Sequence, residues 1–283
     1  VMSIHNQERK DDYYWLNNRE DPDVIDYLKQ ENDYTDSKMK NTEDFQKTLF
    51  NELKSRIKEE DQSVPYLFND YYYWSKYEKG FEHPLYLRKN KDSNIDEVIL
   101  NGQYLSKDYE FFNIGDYDIS DNNQIMAYSY DTLSRRIYQI RIKNLITGKL
   151  FPETLENTTG SIVFANDNKT LFYGKKDPVT LRSFQIYAHE LGTDQSKDVL
   201  IFQEDDETFS CYAYKTKSNE YIVINSSSTL SDEYRLIPAS RPLEKPKVFQ
   251  KRERGLEYNI YHHGDYFYIL TNQNHHNFSI KTC

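Results

Sequence analysis

The chain has 283 residues, a formal charge of −10 and an aromatic share of 15%, with 26 tyrosines and 15 phenylalanines. The acidic balance argues against a nucleic-acid partner, which would need a basic face, and no apolar run is long enough to span a membrane. Two cysteines, Cys211 and Cys283, are too few for a disulfide framework and fit a reducing, cytoplasmic setting.

The first residues lack the apolar core of a secretory signal. Val1 stands ahead of Met2, which leaves a piece of a longer chain open. Tyr13, Tyr14 and Trp15 form an aromatic cluster in a polar leader. A helix start follows. Asp21 can cap, because its carboxylate accepts from free backbone N–H groups, and Pro22 suits the first helical position. Val24, Ile25 and Leu28 recur at helical spacing, so the predicted helix runs from residue 22 to about 39.

A second helix is predicted from near Thr42, with Glu43 and Asp44 complementing the positive end of its dipole. Phe45, Leu49, Phe50, Leu53 and Ile57 form its apolar stripe, and its end is expected near residues 59–62, before Pro65. Two amphipathic helices need a surface to cover. They either pack on the rim of the β structure that follows or embrace a separate domain.

From Tyr66 onward the chain reads as strand, turn, strand. Five segments share one pattern: residues 71–75 (YYYWS), 125–129 (IMAYS), 170–174 (TLFYG), 221–225 (YIVIN) and 266–270 (YFYIL). Their fourth residues are Trp74, Tyr128, Tyr173, Ile224 and Ile269, separated by 54, 45, 51 and 45 positions. A repeat of roughly 40–50 residues holding several strands has the length of a four-stranded propeller blade. One blade cannot bury both faces, so neighbours must stack. A β-sandwich would also give many short strands, but it would not need five similar segments at this spacing.

Around residues 123–148 the strands are predicted at 125–130 and 136–142. The turns between units carry Asp121-Asn122-Asn123, Asn166-Asp167-Asn168, Lys217-Ser218-Asn219 and His263-Gly264-Asp265, residues that hydrogen-bond their own backbone or tolerate left-handed conformations. Trp74, Tyr128 and Tyr173 read as core between blades rather than as a ligand cage. Five such units do not make a comfortable closed ring, so the chain is expected to be part of a larger protein.

These residues resemble a known family. The leader 11–16 (DDYYWL), Asp21-Pro22 and the run 24–32 (VIDYLKQEN) are similar to the start of serine peptidases of the prolyl oligopeptidase family. Residues 133–136 (LSRR), Tyr138, Ile140-Arg141 and the run 144–148 (NLITG) resemble its oligopeptidase B, or protease II, branch. So do residues 178–181 (PVTL), Gln185-Ile186, His189, Gly192-Thr193, the run 205–209 (DDETF) and residues 272–278.

The resemblance covers nearly the whole chain, and its specificity lies in the order and spacing of the motifs. It implies a mainly β fold. N-terminal helices (1–64) precede about five blades (65–283) of a seven-bladed β-propeller. The implied partner is a C-terminal α/β-hydrolase domain of the same protein, carrying a Ser-Asp-His triad and absent from this chain. It further implies cleavage of short basic peptides after Lys or Arg, with the propeller as a gate. None of the nine glycines begins a G-x-S-x-G motif, the strand-to-helix turn on which a hydrolase nucleophile sits. No catalytic residue is therefore assigned here, and the chain alone is expected to be inactive. The alternative is a stand-alone propeller-type interaction module.

Arg135 and Arg136 follow Ser134 in a hairpin connection. They are either two solvated charges or an interdomain contact, since a guanidinium fork can hold a carboxylate. The resemblance places Arg136 where the family has an arginine facing the catalytic cleft, with Arg135 second. Glu110 is either a surface carboxylate or a pairing group across the same interface. No metal or cofactor is expected. His262-His263 and His275-His276 are adjacent pairs, which in a strand point to opposite faces and chelate poorly, and G-x-G is absent.

Overall fold

Asp21 opens the first helix. Its carboxylate accepts from the Asp23 N–H at 3.0 Å, and Pro22 takes the first turn. Helix α1 spans Pro22–Met39. A 3-10 turn at Lys40–Thr42 leads into α2, Glu43–Ser55. The expected end at 59–62 is too late. Arg56 and Ile57 donate to Leu53 and Lys54, three residues back, so the last turn tightens and the helix closes while the apolar stripe still continues. Phe45, Leu49, Phe50, Leu53 and Ile57 are all exposed. A hairpin that periodicity did not reveal pairs Met2–Ile4 with Gln7–Arg9. His5 and Asn6 at its tip both have positive φ, the geometry of a tight two-residue hairpin.

The computed structural model describes residues 1–283 and divides into two units, Val1–Glu59 and Glu60–Cys283. The second unit holds five antiparallel blades. Blade 1 has strands Tyr66–Phe68, Tyr71–Lys76, Leu85–Asn90 and Glu97–Asn101. Blade 2 begins with Asn113–Ile119, Ile125–Asp131 and Tyr138–Asn144. The long strand Leu150–Phe164 then serves two blades. Leu150 to Leu155 pairs back on blade 2, and Ile162 to Phe164 forward on Thr170–Lys176 of blade 3. The register shifts between Thr158 and Ile162, where the strand passes from one blade to the next. Blade 3 continues with Ser183–Glu190 and Val199–Gln203. Blade 4 has Ser210–Lys215, Tyr221–Ser227, Asp232–Pro238 and Lys247–Gln250. Blade 5 has Tyr258–His263, Tyr266–Thr271 and Ser279–Thr282.

The third strand of blade 2 starts at Tyr138, two residues later than the sequence pattern suggests. Arg136 has φ +56, which no extended strand can accommodate.

Alternation explains why the second strand of each blade reads as an unbroken apolar run. In blade 3, Leu171 and Tyr173 pack towards Ala127, Ile140 and Ile142 of blade 2, while Phe172 packs towards Cys211, Ile222 and Ile224 of blade 4. In blade 4, Val223 turns to Tyr258 and Ile260 of blade 5. In blades 2 to 4 each such strand therefore feeds two cores, and both faces must be apolar. Tyr128, Tyr173 and Ile224 point to the preceding blade. Trp74 has no preceding blade in this chain and lines a cleft with Gln62, Pro65, Tyr72, Lys89 and Asp96. Tyr261, Tyr268 and Ile280 of blade 5 are exposed.

Candidate functional site

In an antiparallel blade alternate loops leave on opposite rims. The loop 132–137 joins the second and third strands of blade 2, and residues 102–112 join blade 1 to blade 2. Both emerge on the same rim. The first carries Arg135 and Arg136, the second Glu110, and all three are exposed.

The arginine loop is held from inside. Asp131 ends the second strand and is 2% exposed. One carboxylate oxygen accepts from the Leu133 N–H at 2.7 Å and the other from the Arg136 N–H at 2.7 Å. Ser134 and Arg136 take positive φ between these bonds. From blade 3, the Lys176 ammonium donates to the Arg136 carbonyl. Burial, and secondarily the Arg136 charge, holds the Lys176 ammonium below the usual lysine value.

Two residues on, Tyr138 fastens the exit. Its ring lies against Gly115 and Gly160, where an added Cβ would stand 2.6 and 2.8 Å from ring carbons. Its hydroxyl accepts from the Asn113 side chain at 3.2 Å.

The Glu110 segment is tied to the same strands. Asn101 caps the short helix Gly102–Ser106 through the Tyr104 N–H at 2.8 Å. Tyr109 stacks on Phe112 at 6.0 Å between centroids, and Phe112 on Tyr130 at 5.5 Å. Tyr130 is the chain neighbour of Asp131, so both loops rest on one strand end. Nothing in the sequence marks Asp131 and Lys176 as anchors of this loop. Tyr138 stands out there only as part of the resemblance, and the signal for its packing is indirect: two glycines, Gly115 and Gly160, where a strand would otherwise carry a side chain.

Along the inner strands, carboxylates replace strand pairing between blades. Asp118 accepts from the Phe164 N–H at 2.7 Å and Asp116 from the Ile162 N–H at 3.4 Å. Burial pushes the Asp118 carboxyl up to about 6. Lys215 of blade 4 donates to Asp121 at 2.9 Å. Among the histidines, His189 is buried with Nδ1 2.7 Å from Asp198, and His262 lies 2.9 Å from the Ser218 hydroxyl. No group of three or more His, Cys, Asp or Glu side chains is placed to hold a metal ion.

The family model for the prolyl oligopeptidase N-terminal β-propeller domain matches residues 1–283. The chain belongs to this family. Among curated prolyl oligopeptidase relatives, it is 37% identical to dipeptidyl aminopeptidase BI of Pseudoxanthomonas mexicana, over 96% of this chain and 40% of that protein. It is 29% identical to protease 2 of Moraxella lacunata, over 99% of this chain and 42% of that protein. Among solved structures it resembles oligopeptidase B from Leishmania major with TM-score 0.90 and 27% identity, covering 97% of this chain and 40% of that one. The chain thus spans about two-fifths of the length of these prolyl oligopeptidase relatives. No helix is long and apolar enough to cross a membrane.

Proposed function

We propose that this chain is the gating side of an oligopeptidase B-like serine endopeptidase that cuts short peptides after Lys or Arg. What supports this most is the match of 97% of the chain to oligopeptidase B at TM-score 0.90. In this reading the parent's chemistry resides in an α/β-hydrolase domain outside these residues. There a serine attacks, a histidine carries the proton and an aspartate orients it. The propeller encloses the cleft and excludes folded proteins. Arg136, then Arg135, with Glu110 on the same rim, supplies the contact to that domain, because exposed charges on a rigid loop can close on carboxylates or cations of a facing surface. The setting is cytoplasmic, in keeping with Cys211 and Cys283 both being free.

A second reading has its own support: the chain is 37% identical to dipeptidyl aminopeptidase BI, against 29% to protease 2. A parent of that kind removes dipeptides from free N-termini. One assay separates the two. The full-length peptidase is given a peptide with an internal arginine, once with a blocked and once with a free N-terminus. An endopeptidase cuts both after arginine. Cutting of the free peptide alone, with release of dipeptides, refutes the first reading. A mature protein from the source cells no larger than the 34.0 kDa of this chain would instead favour a stand-alone interaction module.

A further inference from the structure

We infer that Asp131 is a positioning residue that, together with Lys176 of the neighbouring blade, presets Arg136. The inference rests on the reading of Arg136 as an interdomain contact. Asp131 itself is buried at the strand end, while the two residues whose N–H groups it accepts, Leu133 and Arg136, are exposed. Its two oxygens accept from the N–H groups of Leu133 and Arg136, so the carboxylate spans the turn from near its start to its last exposed residue. Hydrogen bonds to a charged acceptor are shorter and stronger than neutral ones. They offset the cost of placing Ser134 and Arg136, neither of them glycine, at positive φ.

The second anchor comes from another blade. Lys176 ends the second strand of blade 3 and donates to the Arg136 carbonyl. Both peptide groups of Arg136 are therefore fixed, the N–H by blade 2 and the C=O by blade 3. The Lys176 charge and the Arg136 guanidinium also repel one another. Through Lys176 the position of Arg136 is coupled to the seam between the two blades.

The test uses two variants in different blades, D131N and K176M. An asparagine keeps the shape but can accept only one of the two N–H groups. Hydrogen exchange of the Leu133 and Arg136 amides is read first, with tryptic cutting after Arg135 and Arg136 under native conditions. D131N is expected to raise both by about tenfold, the loss of one charge-assisted hydrogen bond, while far-UV circular dichroism stays unchanged. K176M is expected to raise cutting after Arg136 more than after Arg135. Unchanged exchange in a folded D131N overturns the inference.

The second readout is kcat/KM of the full-length peptidase for D131N, R136A and the double variant. If Asp131 acts through Arg136, D131N has no further effect once Arg136 is gone. Additive losses overturn the inference. A silent R136A, with the loop loosened by D131N, instead overturns the interdomain reading and leaves the clamp standing.

Discussion

Gly160 is the position where a single methyl group should do most damage. It has φ +93, and an added Cβ would lie 2.8 Å from Cγ and Cδ2 of Tyr138. Its carbonyl accepts from the buried Ser129 hydroxyl at 2.8 Å, which ties blade 3 to blade 2. Gly160→Ala therefore carries two costs. The left-handed backbone costs about 1–2 kcal/mol for a residue with a Cβ. Overpacking against the ring costs about 1–3 kcal/mol, because Tyr138 is also blocked by Gly115 on its other side.

The expected loss is about 2–5 kcal/mol, read as a fall in the urea midpoint of the chain by intrinsic fluorescence. Gly148→Ala is the control. Gly148 has φ +72 with no atom within 4 Å of an added Cβ, so it bears only the backbone cost, about 1–2 kcal/mol. The difference between the two isolates the contact with Tyr138. Equal losses within about 0.5 kcal/mol would refute the packing argument. So would a G160A loss that is undiminished when Tyr138 is replaced by alanine.

Asp118 gives a pH signature. Its carboxyl is raised to about 6 by burial, so its contribution to stability is fully present below the unfolded carboxylate value and is lost as pH rises through 6. Relative to D118N, the wild type should lose on the order of 2 kcal/mol between pH 4 and pH 8; parallel stability–pH curves would contradict this. Ile224→Ala, between blades 3 and 4 and fully buried, should cost about 2–5 kcal/mol. Ile269→Ala, half-buried in blade 5, should cost less than half of that. Thermal melts compare the pair, and equal shifts would mean that the blade faces are misassigned.

The sequence reading reached the blade count, the second strand of every blade and the start of α1, because each rests on local periodicity or capping. It missed strands such as Val199–Gln203 and Lys247–Gln250. Both are short, partly exposed outer strands; Lys247–Gln250 has only two apolar residues, whereas Val199–Gln203 does carry an apolar run, Val199 to Phe202, but falls outside the five repeated segments. Nor is the continuous strand Leu150–Phe164 legible in the sequence, because one strand serving two sheets has no local mark apart from Gly160. The exposed residues Arg135, Arg136 and Glu110 were found through resemblance, not periodicity. Asp131, which holds them, looks like any hairpin carboxylate until the fold shows that it is buried.

The two rims are built differently, and this bears on where function can sit. On the rim opposite the arginine loop, turns of successive blades bond to one another. Asn123 donates to the Asn69 carbonyl at 2.8 Å, the Asn122 N–H to Asn168 at 2.9 Å, and Asn166 to the Asn219 carbonyl at 2.7 Å. Ser218 reaches His262 of blade 5 at 2.9 Å. Asn69, Asn123, Asn168 and Asn219 all have positive φ, as does Gly264 in the fifth blade, so one turn chemistry is reused around this rim. Because each of these turns is hydrogen-bonded to a neighbour, a change in one must be matched in the next. The rim with residues 132–137 is under no such repeated constraint: its loops differ in length and are fixed by individual anchors such as Asp131. A scaffold that secures its blades on one rim leaves the other free to vary in sequence while staying rigid in position, which is the physical condition for carrying a recognition surface.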